Sequence, residues 1–223
     1  MRFADFTPFD LVLLAQGLGV SLALFLTTTV AGLLLGLGFA VVHHFRFPFV
    51  NPLIVAVTEA LKNSPVLVQL FLVFFGIPAL MQIRMTPASA AFITLSLNTA
   101  AFAFVIIRAG IESIDRDQID AAEAFGLRRI QILRRVIGPQ ALAFSIGPIV
   151  GILVNQLQVT SLISVIGVFD LTKIGNILNL RTLEPFIVWA VIGSIYYVCA
   201  KILAHSGARL ERRIRRSYAW GEV

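Results

Sequence analysis

Charge is what this sequence has least of. Only 13% of its 223 residues are Asp, Glu, Lys or Arg, and several long stretches carry none. A water-soluble domain of this length has no need of such stretches, so the composition argues against one. Cysteine is almost missing too. Cys199 stands alone, which excludes an internal disulfide and leaves a buried thiol as the simple reading. Metal-ligating residues are equally scarce. His43 and His44 adjoin, but no further histidine or carboxylate lies at ligand spacing. No metal site is therefore expected, and anchoring near a helix end accounts for the pair. No low-complexity tract, internal repeat or cleavable signal peptide is recognisable, and nothing marks a second soluble domain.

What fills the chain is long apolar runs. A charge-free run of 18 or more residues reads as a membrane helix, because about 20 residues cross a hydrocarbon core roughly 30 Å thick. Backbone polar groups in lipid must be satisfied within the segment, so helices are expected. Five spans follow: Leu11–Val42, Asn63–Ile83, Met85–Ile107, Ile137–Gln158 and Pro185–Ala204. Lys201 near the end of the fifth can snorkel to the interface. Residues 159–180 are left as irregular or re-entrant chain, and Phe49–Leu61 as a helix along the inner interface. The fold class is an all-α integral membrane protein, a single transmembrane domain over 1–223.

Basic residues set the orientation. With five spans the two ends lie on opposite sides. If the carboxyl end is cytoplasmic, only Arg2, Arg84, Lys173 and Arg181 fall outside, and the remaining 14 of the 18 Lys and Arg lie on or near the inner side. The positive-inside rule selects that arrangement, with the N-terminus outside. Because these residues flank spans, topology explains the net charge of +6, and no nucleic-acid partner is called for.

Three local features stand out. Asp5-Phe6-Thr7-Pro8-Phe9 reads as a short outer segment entering the first helix, in which Gly32, Gly36 and Gly38 permit close helix packing. In Lys62-Asn63-Ser64-Pro65, Ser64 can cap a helix beginning at Pro65. Alternatively, Lys62, Asn63 and Ser64 present polar groups to a translocation path. Arg108 and Glu112, four apart, can pair on one helix face.

The densest charge lies in Asp120-Ala121-Ala122-Glu123-Ala124-Phe125-Gly126-Leu127-Arg128-Arg129 and the residues up to Pro139. Ile119, Ala122 and Phe125 are expected to share one helical face, with Asp117, Asp120 and Glu123 opposite. Gly126 should end that helix. Leu127, Ile130, Leu133 and Ile137 should then form the apolar stripe of a second, beside Arg128, Arg129, Arg134 and Arg135. Two short amphipathic helices bent at a glycine cannot span a membrane. They either lie on lipid headgroups, arginines toward anionic lipid, or dock into a groove on a soluble partner.

The loop 115–139 resembles the EAA loop of ABC importer permeases. That pattern is E-A-A, three residues, glycine, nine residues, I-x-L-P. Here Asp120 replaces Glu, Val136 replaces Ile and Gly138 replaces Leu, while Ala121, Ala122, Gly126 and Pro139 keep their spacing. Lys62 to Leu70, Arg108 to Ile114 and Thr160 to Val168 are similar to R-G-T-P-L-L-V-Q-L, R-G-G-I-Q-S-I and T-S-L-x-S-V-I-G-V of polar amino acid importer permeases.

The resemblance implies a permease subunit of an ATP-driven importer in a bacterial inner membrane. It implies pairing with the same or a sister permease, two cytoplasmic ABC ATPases docked on the loops, and a periplasmic solute-binding protein that delivers a small polar solute. Asp120, Ala121, Ala122, Phe125, Gly126, Arg128 and Arg129 would form the docking loop. Lys62, Asn63, Ser64, Gln158, Thr160 and Ser161 are the candidates for the solute path. The chain has no phosphate-binding glycine loop, so ATP and magnesium belong to the partner ATPase, and no cofactor is expected here. It departs from the family twice. Phe104 to Ile107 replace the residues that usually include A-E before the Arg108 motif, and Gln158-Val159 replace K-D before Thr160. Those losses fit an opine-like or other polar metabolite, or the less selective half of a heterodimer. A passive pore and a membrane scaffold are the readings from other classes.

Overall fold

The computed structural model describes residues 7–218, so Arg2, Asp5 and Phe6 lie outside the described residues. Those residues are helical almost throughout and contain no strand. The first helix, α1 (Pro8–His44), starts where Asp10 accepts the Thr7 backbone N–H at 2.7 Å and ends before Arg46, at φ 56°. At about 1.5 Å per residue it is roughly 55 Å long, more than the hydrocarbon core requires.

The central seam joins α1 to α5 (Pro87–Glu112). A Cβ on Gly32 would meet the Ser96 carbonyl at 2.8 Å, and one on Gly36 would meet the Ala100 carbonyl at 2.8 Å. Steps of four match on both helices, so α1 and α5 run parallel. Gly38 faces open space and takes no part in the seam, which corrects the expectation for that residue. Gly36 and Gly32 are the pair that lets the backbones close.

Two parallel helices need a return path between them. It is made by α2 (Val50–Lys62), a break, and then α3 (Val66–Phe71), a π turn (Leu72–Gly76) and α4 (Ile77–Met81). The two parts are bent by 110°. Ile54 of α2 clusters with Ala40 and Phe104 near the ends of α1 and α5, and Thr58 is buried, so α2 belongs to the bundle. Leu70 of α3 packs on Ala90, Ala91 and Leu95 in the first half of α5. The break therefore sits beside the middle of α5. Ser64 does not cap α3. Pro65 is the N-cap, and the Ser64 hydroxyl donates back to the Ala60 carbonyl at 2.7 Å.

α6 (Arg116–Ala124) and α7 (Arg129–Ile132) form the loop. A second π turn (Leu133–Ile137) leads into α8 (Gly138–Val159). Each π turn precedes a proline, Pro78 or Pro139, which cannot donate into a regular α turn. Residues 159–180 are not irregular: a 3-10 turn (Thr160–Ile166) and α9 (Leu171–Thr182) account for most of them. Asp170 caps α9 by accepting the Lys173 N–H at 2.9 Å, and the Ser21 hydroxyl of α1 accepts the Leu171 N–H at 3.1 Å. Burial pushes the Asp170 carboxyl above the usual carboxylate range, against the pull of the Lys173 N–H. At the far end of α9, Arg181 pairs with the buried Asp10.

The last helix, α10 (Pro185–Tyr218), packs through Ala200 on Phe25 and Leu157. Lys201 lies 5.5 Å over the Tyr197 ring, a cation held on an aromatic face. Four helical stretches are long and apolar enough to cross a membrane, and the bent pair is a fifth if it counts as one span.

Candidate functional site

The charged loop is a packed body with a core of its own. Asp115 caps α6 by accepting the Asp117 N–H at 3.1 Å. The helix closes in a Schellman motif. Gly126, at φ 77°, donates to the Glu123 carbonyl at 2.8 Å, and Leu127 donates to the Ala122 carbonyl at 3.2 Å. Arg128 starts α7 with its N–H on the Gln131 side chain at 2.8 Å. Ala122, Ile132, Leu133, Ile137 and Ala141 then cluster, with Val41 of α1 and Ile111 of α5 against them. A hydrogen bond of 2.7 Å from Gln140 to Gln118 ties α6 to α8. The loop is thus fastened to the ends of three long helices.

Two expectations about its faces are corrected. Phe125 does not lie with Ile119 and Ala122; it is 86% exposed. Steps of three fall about 60° short of a full helical turn, so two of them carry Phe125 about 120° off the face. Ile130 is also exposed, and Ile132 replaces it in the core. Leu133 and Ile137 are buried as expected, and Ile130, in the first turn of α7, is the one member of that stripe that faces out.

The predicted docking residues divide accordingly. Asp120, Ala121, Phe125, Gly126, Arg128 and Arg129 are exposed, whereas Ala122 is 6% exposed and supports the loop from within. Phe125 takes no part in the loop's core, and bare aromatics of that kind anchor protein interfaces.

The six path candidates fall into two groups with local bonds. Lys62 pairs with Glu59 at 2.8 Å, Asn63 donates to Glu59 at 2.9 Å, and the Ser64 hydroxyl donates to the Ala60 carbonyl of α2. Thr160 donates to the Leu157 carbonyl and Ser161 to the Gln158 carbonyl, each at 2.7 Å. Thr160 is fully buried, while Gln158 is exposed. Val66, Leu67 and Val159 pack on one apolar cluster that contains Ile163, which links the two segments.

A buried polar layer that the sequence reading missed runs through the same level. Gln69 donates to the Leu61 carbonyl at 2.6 Å and to Ser64 at 2.9 Å, and accepts from Asn98 at 3.4 Å. Gln156 donates to Thr28 at 3.1 Å and to the Leu95 carbonyl at 3.3 Å. Beside it opens a cavity of about 290 Å³ lined by Asn98, Phe102, Gly151, Ile152, Asn155 and Gln156. Amides set in apolar segments were the signal available, since polar side chains at membrane depth face cavities or partners. Neutral amides can exchange hydrogen bonds with a polar solute without presenting a fixed charge. Among the described residues no three His, Cys, Asp or Glu are grouped to hold a metal. Arg108 and Glu112 pair at 2.8 Å, as their spacing suggests. His43 stacks edge-on against Phe104 at 5.6 Å.

Comparison with known proteins agrees with this architecture. Residues 29–216 match the family described as "Binding-protein-dependent transport system inner membrane component". The L-cystine transport system permease protein TcyL of Bacillus subtilis is 33% identical over 219 residues, 96% of this chain and 90% of that protein. The arginine transport system permease protein ArtQ of the same organism is 33% identical over 205 residues, 90% of this chain and 91% of that one. A crystal structure of an amino acid ABC transporter with histidines superposes at a TM-score of 0.84 and 27% identity, covering 94% of this chain and all of its counterpart.

Proposed function

The chain belongs to the family of binding-protein-dependent transport system inner membrane components, and on that premise we propose that it is the permease of an ATP-driven importer for a polar amino acid. The transported solute would cross between this chain and a second permease, the same or a sister chain. A soluble binding protein would deliver it from outside. Two ABC ATPases, using ATP and magnesium, would dock on the loops from the cytoplasm. The basic residues around the loop and along the end of α10 favour placing that side inward, with the N-terminus out.

The observation that carries this reading is the loop itself. Most of its apolar residues are spent on its own core and on α1, α5 and α8, yet Phe125 stands bare on the surface, with Ile130 half-exposed. A body fastened to three helices and carrying an aromatic anchor passes a partner's motion into the bundle as a rigid unit.

Phe125→Asp tests it. Membrane level and melting of the purified chain should stay as in the parent, while co-purified ATPase falls about 30-fold, as when an anchor is worth about 2 kcal/mol. Uptake should fall with it. Undiminished ATPase recovery and uptake would reject the docking role and return the passive-pore and scaffold readings.

One observation favours a second substrate class. The described polar layer is made of amides and hydroxyls, and Gln158-Val159 stand where the family often has K-D. A neutral or zwitterionic solute suits that lining better than a strongly charged one, and an opine-like metabolite fits it as well as an amino acid. Ligand screening of the cognate binding protein separates the two.

A further inference from the structure

One apolar cavity has no role in the transport reading. It is a groove of about 420 Å³ between α1 and α8 on the loop side of the bundle. Its origin is in the packing. α1 is drawn onto α5 at Gly32 and Gly36. α8 is drawn onto α5 at Gly110, where a Cβ would meet the Ala141 carbonyl at 2.9 Å. Nearer the middle, α1 and α8 are joined directly by the Gln156–Thr28 bond and by the packing of Phe25 on Leu157. Toward the loop they part, and a wedge opens over α5.

The walls are apolar: Leu34 and Leu37 on α1, Leu142 and Ile149 on α8, Ile107 as the floor. Leu34, Leu37 and Leu142 are exposed to whatever surrounds the bundle. Ser145, the one hydroxyl there, is turned to the Ile106 carbonyl at 3.4 Å. From Gly138 to Ile149 the α8 wall runs roughly 16 Å at about 1.5 Å per residue. That is the depth of one leaflet of a core about 30 Å thick. At the loop end stands Arg134, exposed and in no ion pair among the described residues, with Arg135 beside it on the same π turn.

The geometry points to a binding site for one anionic phospholipid of the leaflet on the loop's side. An acyl chain fills the wedge between α1 and α8, and its phosphate meets Arg134. Apolar walls of leaflet depth select the chain, and the arginine selects the charge. Since Leu133 and Arg134 belong to the π turn that joins the loop to α8, the lipid rests on that joint. The inference uses only the membrane location of the chain and no part of the transport mechanism.

The test is lipid retention. The complex, purified with whatever subunits accompany it, is passed through nanodiscs of mixed phosphatidylcholine and phosphatidylglycerol and examined by native mass spectrometry. The parent chain should keep phosphatidylglycerol in preference to phosphatidylcholine. Arg134→Gln should lower that preference about fivefold, while Arg209→Gln, away from the groove, leaves it unchanged. Leu37→Trp, which fills an already exposed wall position, should reduce retention of both lipids. A photoreactive residue at position 142 should label lipid. An unaltered preference in Arg134→Gln, or labelling at 142 that goes to a second polypeptide chain, overturns the assignment. Uptake is not read, so failure here leaves the importer reading standing.

Discussion

The seam between α1 and α5 and the loop between α5 and α8 both depend on glycine, for opposite reasons. At Gly32 and Gly36 the helices are so close that a Cβ would overlap backbone carbonyls of Ser96 and Ala100. At Gly126 nothing lies within 4 Å of where a Cβ would stand, but φ is 77°. The seam needs a residue with no side chain. The loop needs a residue free to turn left-handed. One region is held by contact with its neighbour, the other by the conformation of a single residue in its chain.

Substitutions that separate space from conformation sharpen the contrast. The largest effect belongs to Gly36→Leu. No rotamer removes its Cβ from the Ala100 carbonyl, so α1 and α5 must move apart. The chain should be lost from the membrane fraction, or melt as much as about 12 °C lower, since overpacking typically costs about 1–3 kcal/mol and a chain of this size shifts by roughly 2–4 °C per kcal/mol. Next comes Gly126→Ala. There is room for the methyl group, and only the left-handed backbone resists it, by about 1 kcal/mol. Melting should fall by a few degrees, with membrane level unchanged. The smallest effect is Gly38→Ala, a helical glycine with nothing within 4 Å, where the methyl meets no neighbour and helix propensity improves. Its melting temperature should hold or rise slightly. A loss there as large as at Gly36 would break the division drawn between the three sites.

The same contrast explains what could be read from the sequence. Apolar runs mark the long helices, and Gly126 after Phe125 marks the end of α6, because both signals are local. Gly32 and Gly38 look alike in sequence, and only the partner helix tells them apart. The loop was visible as charge, but its faces were only partly so, since residues counted in steps of three drift off one helical face, and Phe125 and Ile130 turn outward. Ala122, expected on the apolar face with Ile119 and placed in the docking loop by family likeness, lies in the core. The polar layer stayed hidden for a different reason. Gln69, Asn98 and Gln156 lie far apart in the chain, and only the return path through the break at 62–65 brings the first two together.

The π turn also bears on how such chains can change. It holds one residue more than an α-helix would use, closed by the Gly138 N–H on the Leu133 carbonyl. Deleting one residue from 133–137 would let the stretch close as an ordinary α turn, because a turn closed by an i→i+5 bond already holds one residue more than a turn closed by i→i+4. Composition and hydrophobicity would hardly register the loss. The segments on either side would keep nearly the same bearing, and Phe125 would still face outward. In this stretch a gap of one in an alignment can leave the heading as it was, whereas the same gap in a regular part of α8 would turn the loop by about 100°.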